Sequence, residues 1–298
     1  MFYIDQAITG FSFKNALAFV EASDLAYKSQ EDAERVIKTE WRFTDFYLIN
    51  KKGTQGFIAK KSDLILISFR GTEQKQLEDI LTDIIVCQTK TKLGLIHSGF
   101  LAAIKFAWKD ILRTLKKFQD NHQPIWITGH SLGGALAILT CAKLCSKNKF
   151  LNIKGVYTFG SPRVGDDKFK ELVKTLSCSA YRITNYKDPV SIIPFSLKLK
   201  ILKFMLATYY KQSGKMLLFT ESGEIAKRED AGTRIALFWI TISGIAVALI
   251  SKLAKKIKSS DETIKWMNDL IAPHDLLRYK ENITKNMAID TKNGVELL

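Results

Sequence analysis

The strand-like run Ile125 to Thr128 leads directly into Gly129-His130-Ser131-Leu132-Gly133-Gly134 and then into Ala135, Leu136, Ala137, Ile138 and Leu139. A strand that turns into a helix over so few residues crowds backbone against backbone. Small residues are therefore needed two positions before and two after the serine at the apex, and Gly129 and Gly133 fill those positions. Such a turn holds Ser131 at a helix N-terminus, where backbone N–H groups can stabilise developing negative charge. A plain glycine turn would call for neither flanking element. The segment thus restricts the chain to folds in which a strand end and a helix start meet at one sheet edge.

The surrounding pattern agrees. A helix-like stretch carries Leu17, Val20, Leu25 and Tyr27, and Phe46 to Ile49 reads as a short strand. Gly56 to Lys60 and Leu64 to Phe69 are β-rich, the second apolar enough to be covered on both faces. Phe100 to Phe118 carries Leu101, Ile104, Trp108, Ile111, Leu112 and Leu115 at helical spacing. Helix Leu132 to Cys145, strand Val156 to Phe159, helix Phe169 to Leu176 and strand Ala180 to Thr184 follow. Strands alternating with helices of this length predict a mainly parallel sheet with right-handed crossovers. Met216 to Phe219 and Glu224 to Ala226, joined at Ser222-Gly223, read as a hairpin beyond that sheet. No repeat or linker divides the 298 residues, so a single domain spanning 1–298 is expected. An apolar fraction of 46% fills a core and excludes disorder, collagen and a disulfide-stapled miniprotein. The four cysteines, Cys87, Cys141, Cys145 and Cys178, have neither metal-ligand nor redox-motif spacing. They read as free, mostly buried thiols, suited to a reducing compartment. The N-terminus lacks the pattern of a cleaved signal peptide, which points to a cytoplasmic or peripheral-membrane protein.

A serine nucleophile needs a base, and on a strand–serine–helix turn the order along the chain is serine, acid, histidine. Of the four histidines, His97 and His122 precede Ser131 and His130 lies inside the turn, which leaves His274. Among the downstream aspartates, Asp188 follows a strand closely and precedes Pro189, which forces a turn at the C-terminal edge of the sheet. Asp166 is the runner-up and reads better as the N-cap of the next helix.

These residues resemble the class 3 lipase family, the fungal-lipase-like branch of the α/β-hydrolases. The resemblance extends to Phe69-Arg70-Gly71-Thr72, His97-Ser98-Gly99-Phe100, Thr158-Phe159-Gly160-Ser161-Pro162-Arg163-Val164-Gly165-Asp166, Asn185-Tyr186-Lys187-Asp188-Pro189-Val190 and His274 with Tyr279. It covers roughly residues 50–225 and 264–285, in order. What it implies is an α/β-hydrolase fold and hydrolysis of lipid acyl esters by Ser131, His274 and Asp188 through an acyl-enzyme. It also implies oxyanion donors at Thr72 and at the Leu132 N–H, and no metal or organic cofactor. The histidine segment departs from the family pattern, reading Ala272-Pro273-His274-Asp275 where Asp-His is more usual. Residues 226–265, between the hairpin and the histidine segment, match nothing in the family core. Leu77, Ile80, Leu81, Ile84 and Ile85 form an apolar helical stripe after the oxyanion loop. The resemblance implies a mobile lid there, and a permanent core helix fits the stripe equally well.

The 45 basic and 30 acidic residues give a net charge of +15, which favours an anionic partner. The insertion holds Ile235 to Ile250 without a charge, followed by Lys252, Lys255, Lys256 and Lys258. This is a pattern suited to anionic headgroups; a buried cap helix with solvated lysines is the other reading. Lys198 to Lys215 is a second acid-free basic stretch. Projected as a helix it is only partly amphipathic, because Lys198 falls among the apolar residues. No nucleic-acid motif accompanies the charge. The expected partners are thus an acyl-ester substrate and an anionic membrane surface. An esterase for small soluble esters and a catalytically quiet membrane-binding module are the alternatives.

Overall fold

The computed structural model describes residues 2–8, 10–73, 87–147, 151–194, 197–201, 204–208, 210–226, 269 and 271–287, with 197–201 and 204–208 described by their backbone. The main sheet is built from β1 (Asp45–Lys51), β2 (Thr54–Lys61), β3 (Leu64–Phe69), β6 (Ile125–His130), β7 (Ile153–Phe159), β8 (Ser179–Thr184) and β11 (Lys215–Leu218). These stand side by side in that order. β1, β2 and β3 form an antiparallel meander. From β3 onward each neighbour is parallel, through β6, β7 and β8 to β11.

Helices cover both faces, and the strand sequences require it. All six residues of β3 are buried, and their alternation sends Ile65, Ile67 and Phe69 to one core and Leu64 and Leu66 to the other. The first core is closed by α3 (Ser98–Phe118) and α4 (Leu132–Lys147), with Ile104, Ile111 and Leu115 on the inward stripe of α3. The second is closed by α1 (Phe13–Leu25) and by α6 (Leu276–Asn286), which contributes Tyr279 and Ile283. Each fully buried Ile, Leu or Phe stabilises the fold by about 1.5–3 kcal/mol, so both layers are required. Buried hydroxyls tie α1 to the sheet: Ser68 Oγ donates to the Ala22 carbonyl at 2.8 Å, and Ser23 Oγ lies 3.0 Å from Thr128 Oγ1. The short helices α2 (Gln30–Arg35) and α5 (Asp167–Lys174) complete the helical elements that matter below.

Two expectations are corrected. Met216 to Leu218 lies in β11, paired in parallel with β8 as the seventh strand of the sheet. The returning segment makes a single bridge, Phe219 to Ile225, rather than a separate hairpin. Leu217, Leu218 and Phe219 are almost wholly buried, which an isolated hairpin could not achieve. The basic stretch after Lys198 is an antiparallel ribbon of β9 (Leu197–Ile201) and β10 (Phe204–Thr208). Leu-Lys-Leu-Lys-Ile has the two-residue period of a strand, which explains why Lys198 spoils a helical projection. A second ribbon, β4 (Gln88–Thr91) with β5 (Gly94–His97), had no clear signal in the sequence. The proposed lid stripe Leu77 to Ile85 and, beyond Ala226, the insertion to residue 265 lie outside the described residues. Among the described residues no helix is long and apolar enough to cross a membrane.

Candidate active site

The turn between β6 and α4 is as tight as its glycines require. A Cβ on Gly129 would lie 2.3 Å from the Gly133 carbonyl oxygen, and one on Gly133 would lie 2.2 Å from that of Phe69. Between them Ser131 has φ +56°, a left-handed conformation that costs a non-glycine residue of order 1–3 kcal/mol and persists only where its surroundings enforce it. Its N–H is fixed on the Phe159 carbonyl at 3.0 Å. Leu132 opens α4, and the first N–H groups of a helix have no partner within it. Gly71 brings the preceding loop alongside: a Cβ there would be 3.0 Å from Ser131 Cβ and 2.6 Å from the His130 carbonyl oxygen. Thr72 follows and lines the same cavity, of about 170 Å³, as Tyr27, His130, Ile271, His274 and Leu276.

Asp188 and His274, 86 positions apart, meet beneath this edge. His274 Nδ1 lies 3.0 and 2.9 Å from the two carboxylate oxygens of Asp188, and both residues are buried. A carboxylate only accepts, so Nδ1 carries the proton and the Nε2 lone pair is left free. Nε2 is buried and has no hydrogen-bond partner among the described residues, Ser131 Oγ included. Loose contacts of this kind are common before substrate binds. Asp188 is fixed by the Val190 N–H, donating at 2.9 Å to Oδ1, and by the Tyr279 hydroxyl, donating at 2.5 Å to Oδ2. Burial first, and then the neighbouring carboxylate, hold the Tyr279 phenol well above its ordinary pKa, so it remains a donor.

Asn185 connects the two loops. Its side chain donates to the Pro273 carbonyl at 2.9 Å and accepts from Asn282 Nδ2 at 3.0 Å, while its N–H donates to the Tyr279 hydroxyl at 3.1 Å. A segment far along the chain thus sets its histidine against the acid. Gly160, with φ +55°, leaves room for them: a Cβ there would lie 2.7 Å from Asp188 Oδ2 and from His274 Nδ1.

The other histidines are used differently. His130 Nε2 lies 2.8 Å from the His274 carbonyl, an acceptor, so Nε2 is protonated and Nδ1 accepts from the Tyr27 hydroxyl at 3.0 Å. Burial, and then the adjacent His274, push the His130 imidazole well below the usual histidine range. Its neutrality matters because the two rings lie 4.4 Å apart, and a cation there would oppose a proton on His274. His97 caps α3, with Nδ1 accepting from the Phe100 N–H at 3.4 Å. Asp166 caps α5, accepting from the Phe169 N–H at 3.0 Å. Tyr27 and Asn282 carry no motif signal of their own. The polar Asn185 directly after the buried strand β8 is the one sequence cue to this network.

A mostly parallel sheet with helices on both faces, and a strained serine between a strand and a helix, define the α/β-hydrolase fold, with an Asp–His pair at the strand ends. Lipase II from Rhizopus niveus superposes with a TM-score of 0.58 at 20% identity, covering 75% of this chain and 89% of that one. Residues 66–198 match the model of the Lipase (class 3) family. Triacylglycerol lipase OBL1 of Arabidopsis thaliana is 29% identical over 248 residues, 64% of this chain and 48% of the relative. Phospholipase A(1) DAD1, chloroplastic, of the same plant is 30% identical over 149 residues, 44% of this chain and 33% of the relative. The chain spans half or less of the length of the curated relatives it matches.

Proposed function

We propose that the protein is a serine carboxylic-ester hydrolase acting on lipid acyl esters, of triacylglycerol lipase or phospholipase A type. The observation that carries the reading is the buried Asp188 carboxylate on His274 Nδ1, at 2.9 and 3.0 Å, beside a serine held at φ +56°. In this reading His274 Nε2 takes the Ser131 hydroxyl proton as Oγ attacks the acyl carbonyl. Asp188 keeps the proton on Nδ1 and stabilises the imidazolium. The N–H groups of Thr72 and Leu132 receive the oxyanion, and water then releases the acid from the acyl-enzyme. The names of the relatives, lipases and phospholipases, support the substrate class.

The test is hydrolysis of a panel running from short-chain esters to triglycerides and phospholipids, with fluorophosphonate labelling in parallel. Ser131→Ala is expected to abolish both turnover and labelling, and activity that survives it defeats the mechanism. Saturation on monomeric short esters with no gain at a lipid interface would replace the lipase reading with that of a soluble esterase. The reading includes docking on an anionic membrane, supported by the acid-free run Lys252, Lys255, Lys256 and Lys258 beside the uncharged residues 235–250. It also assigns Leu77, Ile80 and Leu81 to a lid over Ser131. Flotation with anionic liposomes is expected to recover the full chain and to fail when those four lysines are changed to glutamate. Equal recovery with neutral and anionic liposomes would sink the docking.

A further inference from the structure

Three of the four cysteines converge near the C-terminal end of α4, the end away from Ser131. Cys141 and Cys145 stand one turn apart on α4, on one helical face. Cys178, from the turn just before β8, projects between them. Its Sγ lies 3.2 Å from that of Cys141 and 3.4 Å from that of Cys145. All three sulfurs fall within 4.8 Å of one another, and all three thiols are free. Thiolates bound about 2.3 Å from a tetrahedral zinc ion stand about 3.8 Å apart, inside that range. The sulfurs therefore need to move by only a few tenths of an ångström to share one ion.

The surroundings fit a three-thiolate site with an open side. Cys141 is fully buried and Cys178 nearly so, which excludes competing ligands from the back. Cys145 faces a cavity of about 420 Å³ whose wall also carries Ser146, Thr175 and Ser177, so a water or hydroxyl oxygen can take a fourth position. Soft thiolate donors select d¹⁰ ions such as Zn²⁺ and Cu⁺ over hard cations. The spacing along the chain gave no hint of this, because the third sulfur arrives 33 residues after Cys145 through the β7–α5–β8 crossover.

We propose that Cys141, Cys145 and Cys178 bind a thiophilic d¹⁰ metal ion, Zn²⁺ or Cu⁺, in a site separate from Ser131. Binding replaces three S–H bonds by three metal–sulfur bonds, and the three protons leave to solvent. The bound ion would tie the C-terminal half of α4, the helix that begins at the serine turn, to the start of β8, the strand that leads to Asp188.

The experiment uses the full chain, reduced and metal-free, titrated with Zn²⁺ and separately with Cu⁺ under anaerobic conditions, with Co²⁺ as an optical probe. The expected result is one ion per chain, a thiolate-to-cobalt charge-transfer band, and protection of three thiols from alkylation while the exposed Cys87 remains reactive. Cys145→Ser, at a partly exposed position, keeps the fold and is expected to weaken binding by at least about 100-fold. Cys87→Ser is expected to bind as wild type does. Neither ion bound stoichiometrically, or unchanged alkylation of all four thiols in the presence of metal, would overturn the site and leave the three thiols packing as small apolar side chains. Metal-induced protection that persists in Cys145→Ser would overturn it equally.

Discussion

Gly160→Ala is the sharpest test of the proposed chemistry, because it adds one methyl group and removes no functional atom. The new Cβ would lie 2.7 Å from Asp188 Oδ2, His274 Nδ1 and His274 Cε1. Ordinary contact begins near 3.4 Å, so the Asp–His pair must retreat by about 0.7 Å or tilt by the equivalent amount. Displacements approaching 1 Å at a reacting group cost up to about 10²-fold in rate, and kcat/KM is expected to fall by about 30- to 100-fold. Alanine at φ +55° also costs roughly 1–2 kcal/mol of stability through its backbone alone. That second cost has its own control. Gly53, in the turn between β1 and β2, has φ +82° and nothing within 4 Å of its built Cβ, so Gly53→Ala pays the backbone term without touching the site. Initial rates on a soluble chromogenic ester, with urea denaturation of each variant, separate the two effects. A folded Gly160→Ala enzyme within threefold of wild type in kcat/KM would refute the assignment of Asp188 and His274 to the reaction. So would an equal rate loss in Gly53→Ala.

Tyr279→Phe keeps the packing of the ring but removes the donor to Asp188 Oδ2, a hydrogen bond to a charged group, and should lower stability in urea by about 1.5–3 kcal/mol. The less constrained acid should also lower kcat more than it raises KM. Gly129→Ala places a Cβ 2.3 Å from backbone and is expected to yield little folded protein, measured as the soluble fraction with native circular dichroism. His130 gives a pH signature. Its folded pKa is depressed, so the unfolded chain binds this proton first as pH falls. The stability it contributes is complete above about pH 6.5 and is lost toward the depressed value at about 1.4 kcal/mol per pH unit. Urea midpoints at pH 7.5 and 5.5 should therefore converge in His130→Asn relative to wild type, and an unchanged slope would show that another group dominates.

Much of the sheet was legible because its strands are pure in type. Leu64 to Phe69 is apolar but for Ser68, and a strand buried on both faces, by α1 and α4, can be nothing else. The serine turn was legible because its glycines answer to sterics within the turn itself. Legibility failed where the partner is distant. Met216 to Leu218 has the same local pattern whether it joins β8 or folds back on Glu224, and only the buried edge beside β8 decides. Lys198 to Lys215 has little helical periodicity, because Leu197, Leu199 and Ile201 alternate with lysines at strand spacing. Chain order pointed to His274 by elimination, but nothing local to it shows what holds it. That is the work of Asn185 and Tyr279, from two separate elements.

The histidine set aside by elimination proves to be the one that links these parts. His130 occupies the position just before the serine, and its ring bonds the His274 backbone on one side and Tyr27, just past α1, on the other. Because Nε2 must donate to a carbonyl and Nδ1 must accept from a phenol, only the neutral tautomer satisfies both contacts. Protonation would break the Tyr27 contact and put a cation 4.4 Å from the ring proposed as the base. The residue beside the nucleophile thus fixes the backbone of the base and, by staying neutral, leaves it free to take a proton. Acid should therefore reduce activity through His130, and His130→Asn should remove that component from the pH–rate profile.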